Sequence, residues 1–395
     1  MTSKFFCLRS ARLAARYPCP RRTFASAASS RADHVRIVEV GPRDGLQNEK
    51  QTIPLATKIE LIERLAKTGL TTIEAGSFVS PKWVPQMANS AEILEHVLSR
   101  TPQSPHPITY QWLLPNVKGF DNFLSMWQSK SQAGQDAYPT PPPSPGTDNG
   151  PALNTSSSDP NAMLSASSGA EAMNASRDTQ APIHELSIFT AATESFTQKN
   201  TNCSIAESLQ RFEPIMSKAK EMDLKVRAYI SVALGCPYEG PDVDPHKVAE
   251  LAVSLLEMGA DEISVADTTG MGTAPKTLEL LKTLNAAGVN KDDLALHFHD
   301  TYGQALVNSV VALEHGIRTF DAAVGGLGGC PFSPGATGNV ATEDLVHCFH
   351  SLGAKTGVDL EGLAEVGEWI SKELGRGNDS RAGKATLSRL RKARA

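Results

Sequence analysis

What this 395-residue chain lacks narrows the field before any motif is read. No stretch approaches the roughly 18 to 20 uncharged apolar residues of a membrane span, so no membrane partner is expected. Cysteine is scarce. Six cysteines at irregular spacing, with no C-x-x-C pair, exclude a disulfide framework and point to a reducing compartment. Positive charge is not in excess either: 38 Lys and Arg against 43 Asp and Glu leave −5, so no basic face for nucleic acid is implied. With 40% apolar and 21% charged residues, the chain reads as a soluble globular protein.

Two local absences hide beneath these averages. Residues 1–32 contain no acid but seven basic side chains, Lys4, Arg9, Arg12, Arg16, Arg21, Arg22 and Arg31. Phe5, Phe6, Leu8, Leu13 and Tyr17 are interleaved with them, and small residues fill Ala25 to Ser30. An acid-free amphipathic leader is drawn inward by a negative membrane potential, so residues 1–32 are expected to be a mitochondrial transit peptide and the protein to reside in the matrix. The plainer alternative is an exposed basic arm. Removing the seven positive charges leaves −12 for residues 33–395.

Residues 128–182 lack large apolar side chains. Eight of these 55 residues are Pro and ten are Ser, while Leu153 and Leu164 are the only members of the Leu/Ile/Val/Phe set. Such a segment cannot bury enough surface to offset its ordering entropy and is expected to be disordered. Lengthening a loop from about five to about 55 residues costs only about 2 kcal/mol of closure entropy, so a domain tolerates it.

From residue 34 onward, short β-branched runs alternate with helical periodicity. The candidate strands are Val35–Val40, Thr72–Gly76, Ile108–Leu114, Glu185–Thr190, Lys225–Val232, Glu262–Ala266, Leu294–His299 and Thr319–Val324. Ile59, Ile62 and Leu65 mark one helical face, and Val248, Leu251, Leu255 and Leu256 another. Thr68-Gly69-Leu70, Met258-Gly259-Ala260 and His315-Gly316-Ile317 repeat one punctuation, a glycine that stops a helix shortly before a strand. Eight β/α units in a row predict an α/β fold, the TIM (β/α)8 barrel. A doubly wound sheet would carry a Gly-rich phosphate loop after the first strand, but Gly41-Pro42-Arg43-Asp44-Gly45 is not that pattern. A short helix, Lys118–Trp127, precedes residues 128–182, and a split there would leave three strands and five, neither a closed barrel. The expected organisation is therefore a barrel domain over 33–330 interrupted by an insertion at 128–182. A Gly-rich lid continuation and C-terminal helices occupy 331–395.

A TIM barrel keeps its chemistry at the carboxyl ends of its strands. These end in Arg43 and Asp44, Glu74, Asn116, Asp267, and His297 with His299 and Asp300. Residues i and i+2 of a strand face one side, so both imidazoles of His297-Phe298-His299 point into the barrel. With Asp44 as third ligand they form a candidate divalent-metal site; two hydrogen-bonded histidines in a polar mouth is the alternative. After the last strand, Gly325 to Asn339 contains six glycines, a density that suggests a mobile lid. Cys330 within it is a candidate general acid, since a free thiol with a pKa of about 8.5 is protonated near neutrality.

Val38-Glu39-Val40-Gly41-Pro42-Arg43-Asp44-Gly45-Leu46-Gln47-Asn48-Glu49, Ser77 to Met87, His297 to Gly303 and the Gly-Gly-Cys-Pro loop ending in Gly338-Asn339 resemble the 3-hydroxy-3-methylglutaryl-CoA lyase family from about residue 35 to about 375. The resemblance implies cleavage of that CoA thioester to acetyl-CoA and acetoacetate with Mg²⁺ or Mn²⁺, by a homodimer. It implies that Asp44, His297, His299 and Asn339 bind the metal. Arg43 and Gln47 would bind substrate, and Cys330, Arg43, Asp44, His297 and Glu74 would serve catalysis, with Asp267 a supporting acid. The insertion departs from the family pattern. So does the tail, which ends Arg391-Lys392-Ala393-Arg394-Ala395 without a peroxisome-type tripeptide, and Gly375-Arg376-Gly377-Asn378, which lacks a lysine for the CoA phosphates. Arg376, Arg381 or Lys384 are the candidate substitutes. Two other readings are a Claisen-condensing acyltransferase of the homocitrate/isopropylmalate synthase type and a catalytically dead barrel that uses the insertion as a tether.

Overall fold

A computed structural model of the chain describes residues 34–133, 182–329 and 338–395. The expected leader, most of the Pro/Ser-rich segment and the stretch 330–337, which includes Cys330, lie outside the described residues. Eight parallel strands close into a barrel: β1 (Arg36–Glu39), β2 (Thr72–Ser77), β3 (Thr109–Leu113), β4 (Ile183–Ala191), β5 (Val226–Ser231), β6 (Glu262–Asp267), β7 (Leu294–Phe298) and β8 (Thr319–Ala322). Each pairs with the next, and β8 returns to β1 with Arg36 opposite Thr319 and Glu39 opposite Ala322. All eight lie where the β-branched runs place them, with ends shifted by one or two residues. β8, for example, stops at Ala322 because the chain turns at Val324–Gly326.

The helices are α1 (Leu55–Ala66), α2 (Ser90–Ser99), α3 (Val117–Ala133), α4 (Glu194–Thr201), α5 (Ile205–Glu221), α6 (Pro245–Glu257), α7 (Ala274–Ala286), α8 (Ala305–Glu314), α9 (Thr342–Ser351), α10 (Leu360–Glu373) and α11 (Arg381–Arg394). Gly69, Gly259 and Gly316 have φ of +85°, +110° and +93°, the conformation expected of helix-stopping glycines. Local chemistry starts the helices equally clearly. Ser204 and Glu207 form a reciprocal capping box on α5, and the Asp244 carboxylate accepts from His246 N–H ahead of Pro245 on α6. Caps of this kind contribute about 1 kcal/mol each.

One boundary needs correction. α3 runs to Ala133, past the expected end at Trp127 and into the segment read as disordered. Gln128 to Ala133 contains neither Gly nor Pro, so nothing stops the helix before Gly134; the prolines that dominate the segment's composition come later.

The apolar core lies between the outer face of the strands and the helices. Leu61, Ile62 and Leu65 of α1 are buried in it, as are Val248, Leu251 and Leu255 of α6, and Trp112, Phe120 and Phe123 beside β3. Burying each such side chain stabilises by roughly 1.5–3 kcal/mol. Inside the barrel the usual branched aliphatic filling gives way to polar side chains. Gln111, Arg227, Ser264, His297 and Asp321 are buried there and joined by hydrogen bonds. Among the described residues, no helix is long and apolar enough to cross a membrane.

Candidate active site

Two loops at opposite ends of the sequence meet at the mouth of the barrel. The first follows β1, where Gly41–Gly45 makes one wide helical turn that carries Arg43 and Asp44. The second follows β8 and returns at Gly338. Glu39, the last residue of β1, joins them. Its Oε1 accepts from the N–H groups of Gly41 and Val324, each at 2.9 Å, and its Oε2 accepts from the Thr342 hydroxyl at 2.6 Å. Beyond β7 the ladder continues in an isolated bridge between His299 and Asn339, with Val340 N–H donating to Phe298 O at 3.0 Å. This pairing carries a residue 295 positions from Asp44 back to its side, and Asn339 Nδ2 donates to Asp44 Oδ2 at 2.8 Å. Gly328 lies against the same amide at φ +117°. A Cβ there would stand 2.7 Å from Asn339 Nδ2.

Asp44, His297 and His299 each offer a ligand atom, and these atoms all lie within 4.8 Å of one another. His297 Nε2 is 4.0 Å from Asp44 Oδ2. Two buried atoms of these neighbouring residues have no hydrogen-bond partner: His299 Nδ1 and Asn339 Oδ1. A hydrogen-bonded histidine pair would leave no such vacant acceptors, and an unsatisfied buried polar group costs about 1–3 kcal/mol. The donor set, one carboxylate, two imidazoles and one amide oxygen, can hold a divalent cation.

The electrostatics suit that use. Burial, with His297 alongside, drives the His299 pKa down to about 4, so its imidazole is neutral and carries a lone pair. Burial alone would raise Asp44, but the Arg43 charge above all, with His297 and the hydrogen bond from Asn339, holds it below the usual carboxylate range. Burial would depress His297, yet its hydrogen bond to Asp321 and the charges of Asp321 and Asp44 raise it.

Arg43 is fixed on both sides. Its Nε donates to Glu74 Oε2 at 2.7 Å, and Nη1 to Asp44 Oδ1 at 2.8 Å. Nη2 is 2.6 Å from the same Glu74 oxygen, and the guanidinium lies 5.5 Å from the Tyr229 ring centroid. Glu74 Oε1 keeps no partner, and burial raises the Glu74 pKa against the pull of Arg43.

The structure therefore brings together Arg43, Asp44, Glu74, His297, His299 and Asn339. Gln47 joins them through Nε2, which donates to Asp44 Oδ1 at 2.8 Å. Asp267 is buried beside His297 with its pKa pushed up to about 7; its Oδ2 accepts from Gly272 N–H and its Oδ1 has no partner. Other strand-end residues do local work instead. Asn116 accepts from Gly119 N–H at the start of α3, and Asp300 accepts from Ala305 N–H at the start of α8. Of the candidate cations near the C-terminus, Arg376 is engaged by Glu49 and Asp379, and Arg381 lies 3.5 Å from Asp300.

Sequence reasoning missed Glu39, Arg227, Tyr229 and Asp321. For Asp321 a signal existed, because an acid in the middle of the apolar run Thr319-Phe320-Asp321-Ala322 must face a polar interior.

The HMGL-like family profile matches residues 34–125 and 156–370. A Pseudomonas aeruginosa protein named 3-hydroxy-3-isohexenylglutaryl-CoA/hydroxy-methylglutaryl-CoA lyase is 43% identical over 355 residues, which cover 90% of this chain and 98% of that protein. The mitochondrial hydroxymethylglutaryl-CoA lyase of Rattus norvegicus is 43% identical over 366 residues, 93% of this chain and 94% of its own. The crystal structure of an HMG-CoA lyase from Acinetobacter baumannii in complex with coenzyme A and 3-methylmalate superposes with a TM-score of 0.71 at 29% identity, covering 91% of this chain and 97% of that one.

Proposed function

This chain belongs to the HMGL-like family, and from that premise we infer that it cleaves 3-hydroxy-3-methylglutaryl-CoA to acetyl-CoA and acetoacetate. It is a carbon–carbon lyase, and the substrate is a small-molecule CoA thioester. The observation that carries the reading is the convergence of Asp44, His297 and His299 with the partnerless Asn339 Oδ1 at the mouth of the barrel.

The reaction removes the proton of the C3 hydroxyl, breaks the C2–C3 bond and leaves the bonding pair on C2 as the enolate of acetyl-CoA. The C3 oxygen becomes the ketone of acetoacetate, and a proton delivered to C2 completes acetyl-CoA. Asp44, His297, His299 and Asn339 would hold a divalent cation, Mg²⁺ or Mn²⁺, which when bound acidifies the substrate hydroxyl and orients it. Arg43, clamped by Glu74 and Asp44, presents its guanidinium to the thioester oxygen and neutralises the charge that develops there. Gln47 steadies Asp44. Asp44 or His297 is the candidate to take the hydroxyl proton. Cys330 is assigned the return of a proton to C2; it follows directly on Gly329, whose carbonyl accepts from Asn48 Nδ2 at 2.7 Å. Glu74 and Asp267 hold the charge balance of the mouth.

The test is acetoacetate release by the purified protein. Release should be abolished by a chelator and restored by Mg²⁺ or Mn²⁺; chelator-insensitive release would remove the cation from the reading. Acetyl-CoA consumption with a 2-oxo acid would instead favour a condensing acyltransferase, which the family relationship does not favour.

Relatives named mitochondrial, relatives named cytoplasmic and bacterial relatives are equally similar to this chain, so matrix residence rests on the acid-free composition of residues 1–32. Fusing residues 1–32 to a fluorescent reporter should send it to mitochondria, and a diffuse cytosolic signal would overturn that assignment. A homodimer, a barrel spanning 33–330 with an insertion at 128–182, and a lid formed around Cys330 complete the proposal.

A further inference from the structure

One carboxylate connects the interior of the barrel to the proposed cation site. Asp321 on β8 is buried, and each of its oxygens is committed. Oδ1 accepts from Arg227 Nη2 at 2.6 Å; Oδ2 accepts from the Ser264 hydroxyl at 2.9 Å and lies 3.1 Å from His297 Nδ1. Arg227 is held in turn by Glu262, Nε to Oε2 at 3.0 Å, and Glu262 pairs with Arg36. The position of Asp321 is thus fixed from below.

An ionised carboxylate only accepts hydrogen bonds, so the 3.1 Å contact requires the proton of His297 to sit on Nδ1. In the neutral ring that binds a cation the lone pair then belongs to Nε2, the atom that faces Asp44. A purely structural ion pair with Arg227 would need one oxygen; the second serves His297.

We propose that Asp321 is a positioning residue that sets the tautomer and ring orientation of His297, and so readies Nε2 as a ligand. This rests on reading Asp44, His297, His299 and Asn339 as a cation site. The chemistry is general: a carboxylate behind a metal-binding histidine fixes which nitrogen coordinates.

Asp321→Asn sharpens the test. Arg227 offers only donors, so the Asn oxygen turns toward it and the NH₂ faces His297. Nδ1 must then accept, Nε2 becomes protonated, and coordination is lost. Manganese titration followed by electron paramagnetic resonance should show a loss of about 10–100-fold in affinity for Asp321→Asn. Ser264→Ala, which keeps the carboxylate, should lose less. Equal affinity of Asp321→Asn and wild type would overturn the proposal, whereas no manganese binding by the wild type would overturn the cation site itself. A readout free of variants covers the case in which Asp321→Asn fails to fold. Nitrogen-15 histidine spectra of the Mg²⁺-loaded wild-type protein should show one ligated imidazole that keeps its proton on Nδ1; if no ligated imidazole carries a proton there, the role assigned to Asp321 is wrong.

Discussion

Two buried charge clusters share the barrel, and they are built on opposite principles. In the lower one, Arg36, Glu262, Arg227 and Asp321 alternate in sign, cation against carboxylate, with each charge facing its opposite and only Arg227 Nε, 3.0 Å from Glu262 Oε2, lacking a hydrogen bond. In the upper one, the single fixed cation Arg43 stands among Asp44 and Glu74, and Glu74 Oε1, His299 Nδ1 and Asn339 Oδ1 are left without partners. Burying charges is costly, and a cluster whose charges pair among themselves limits that cost. A cluster that must receive a ligand keeps vacancies instead, and the native fold bears their cost.

On that contrast, changes in the upper cluster should alter turnover, and changes in the lower one, apart from Asp321 that reaches His297, should alter stability. Arg43→Gln should cut turnover by at least about 100-fold, as for other charge-stabilising groups, while circular dichroism shows a folded chain. Glu74 can take up a proton rather than remain charged and unpaired, which limits the damage to folding. Near-normal turnover would remove Arg43 from the chemistry.

The mirror experiment is Glu262→Ala. It leaves Arg227 bonded to Asp321 but strips its second partner and that of Arg36, and should cost about 3 kcal/mol in urea unfolding with turnover close to wild type. Loss of turnover without loss of stability would erase the distinction between the clusters.

The mildest test concerns Glu39, which ties the two loops together, and Glu343 of α9, which accepts from Gly325 N–H in the second loop. Burial raises the pKa of Glu39 from 4.5 to about 7 and that of Glu343 from 4.5 to about 8. Both groups bind protons in the native state that the unfolded chain has already released. Their contribution to stability is complete below about 4.5 and is lost as pH rises through about 7 to 8. Glu343→Gln removes one of them, so its melting temperature should fall less than that of wild type between about pH 6 and about pH 9. Parallel declines would show that Glu343 is ionised in the native state.

Much of this was legible in the sequence because strands and helices announce themselves through periodicity. Eight β-branched runs gave the barrel, and the i, i+2 spacing of His297 and His299 put both rings on one side. Asp44 and Arg43 could be placed because the turn that follows β1 has to lie at the carboxyl end of the barrel. What stayed hidden depends on pairing across the fold. The outward-facing Glu39 looked like one more strand residue until the N–H of Gly41, the N–H of Val324 and the hydroxyl of Thr342 converged on it. Arg227 and Asp321 are 94 positions apart, and only the closed register of the barrel makes them neighbours. The end of α3 was misjudged for a different reason, because composition averaged over a long window conceals a short helix-permissive stretch at its start.

The path of the chain around residues 133 and 182 has a consequence for how this protein can change. α3 descends from the mouth, and β4 begins at Ile183 opposite Thr109, the first residue of β3. The intervening sequence therefore departs from and rejoins the barrel at its base, the end remote from catalysis. That junction is a permissive port, where sequence can be gained, trimmed or exchanged for cargo while selection on the chemistry continues undisturbed at the other pole.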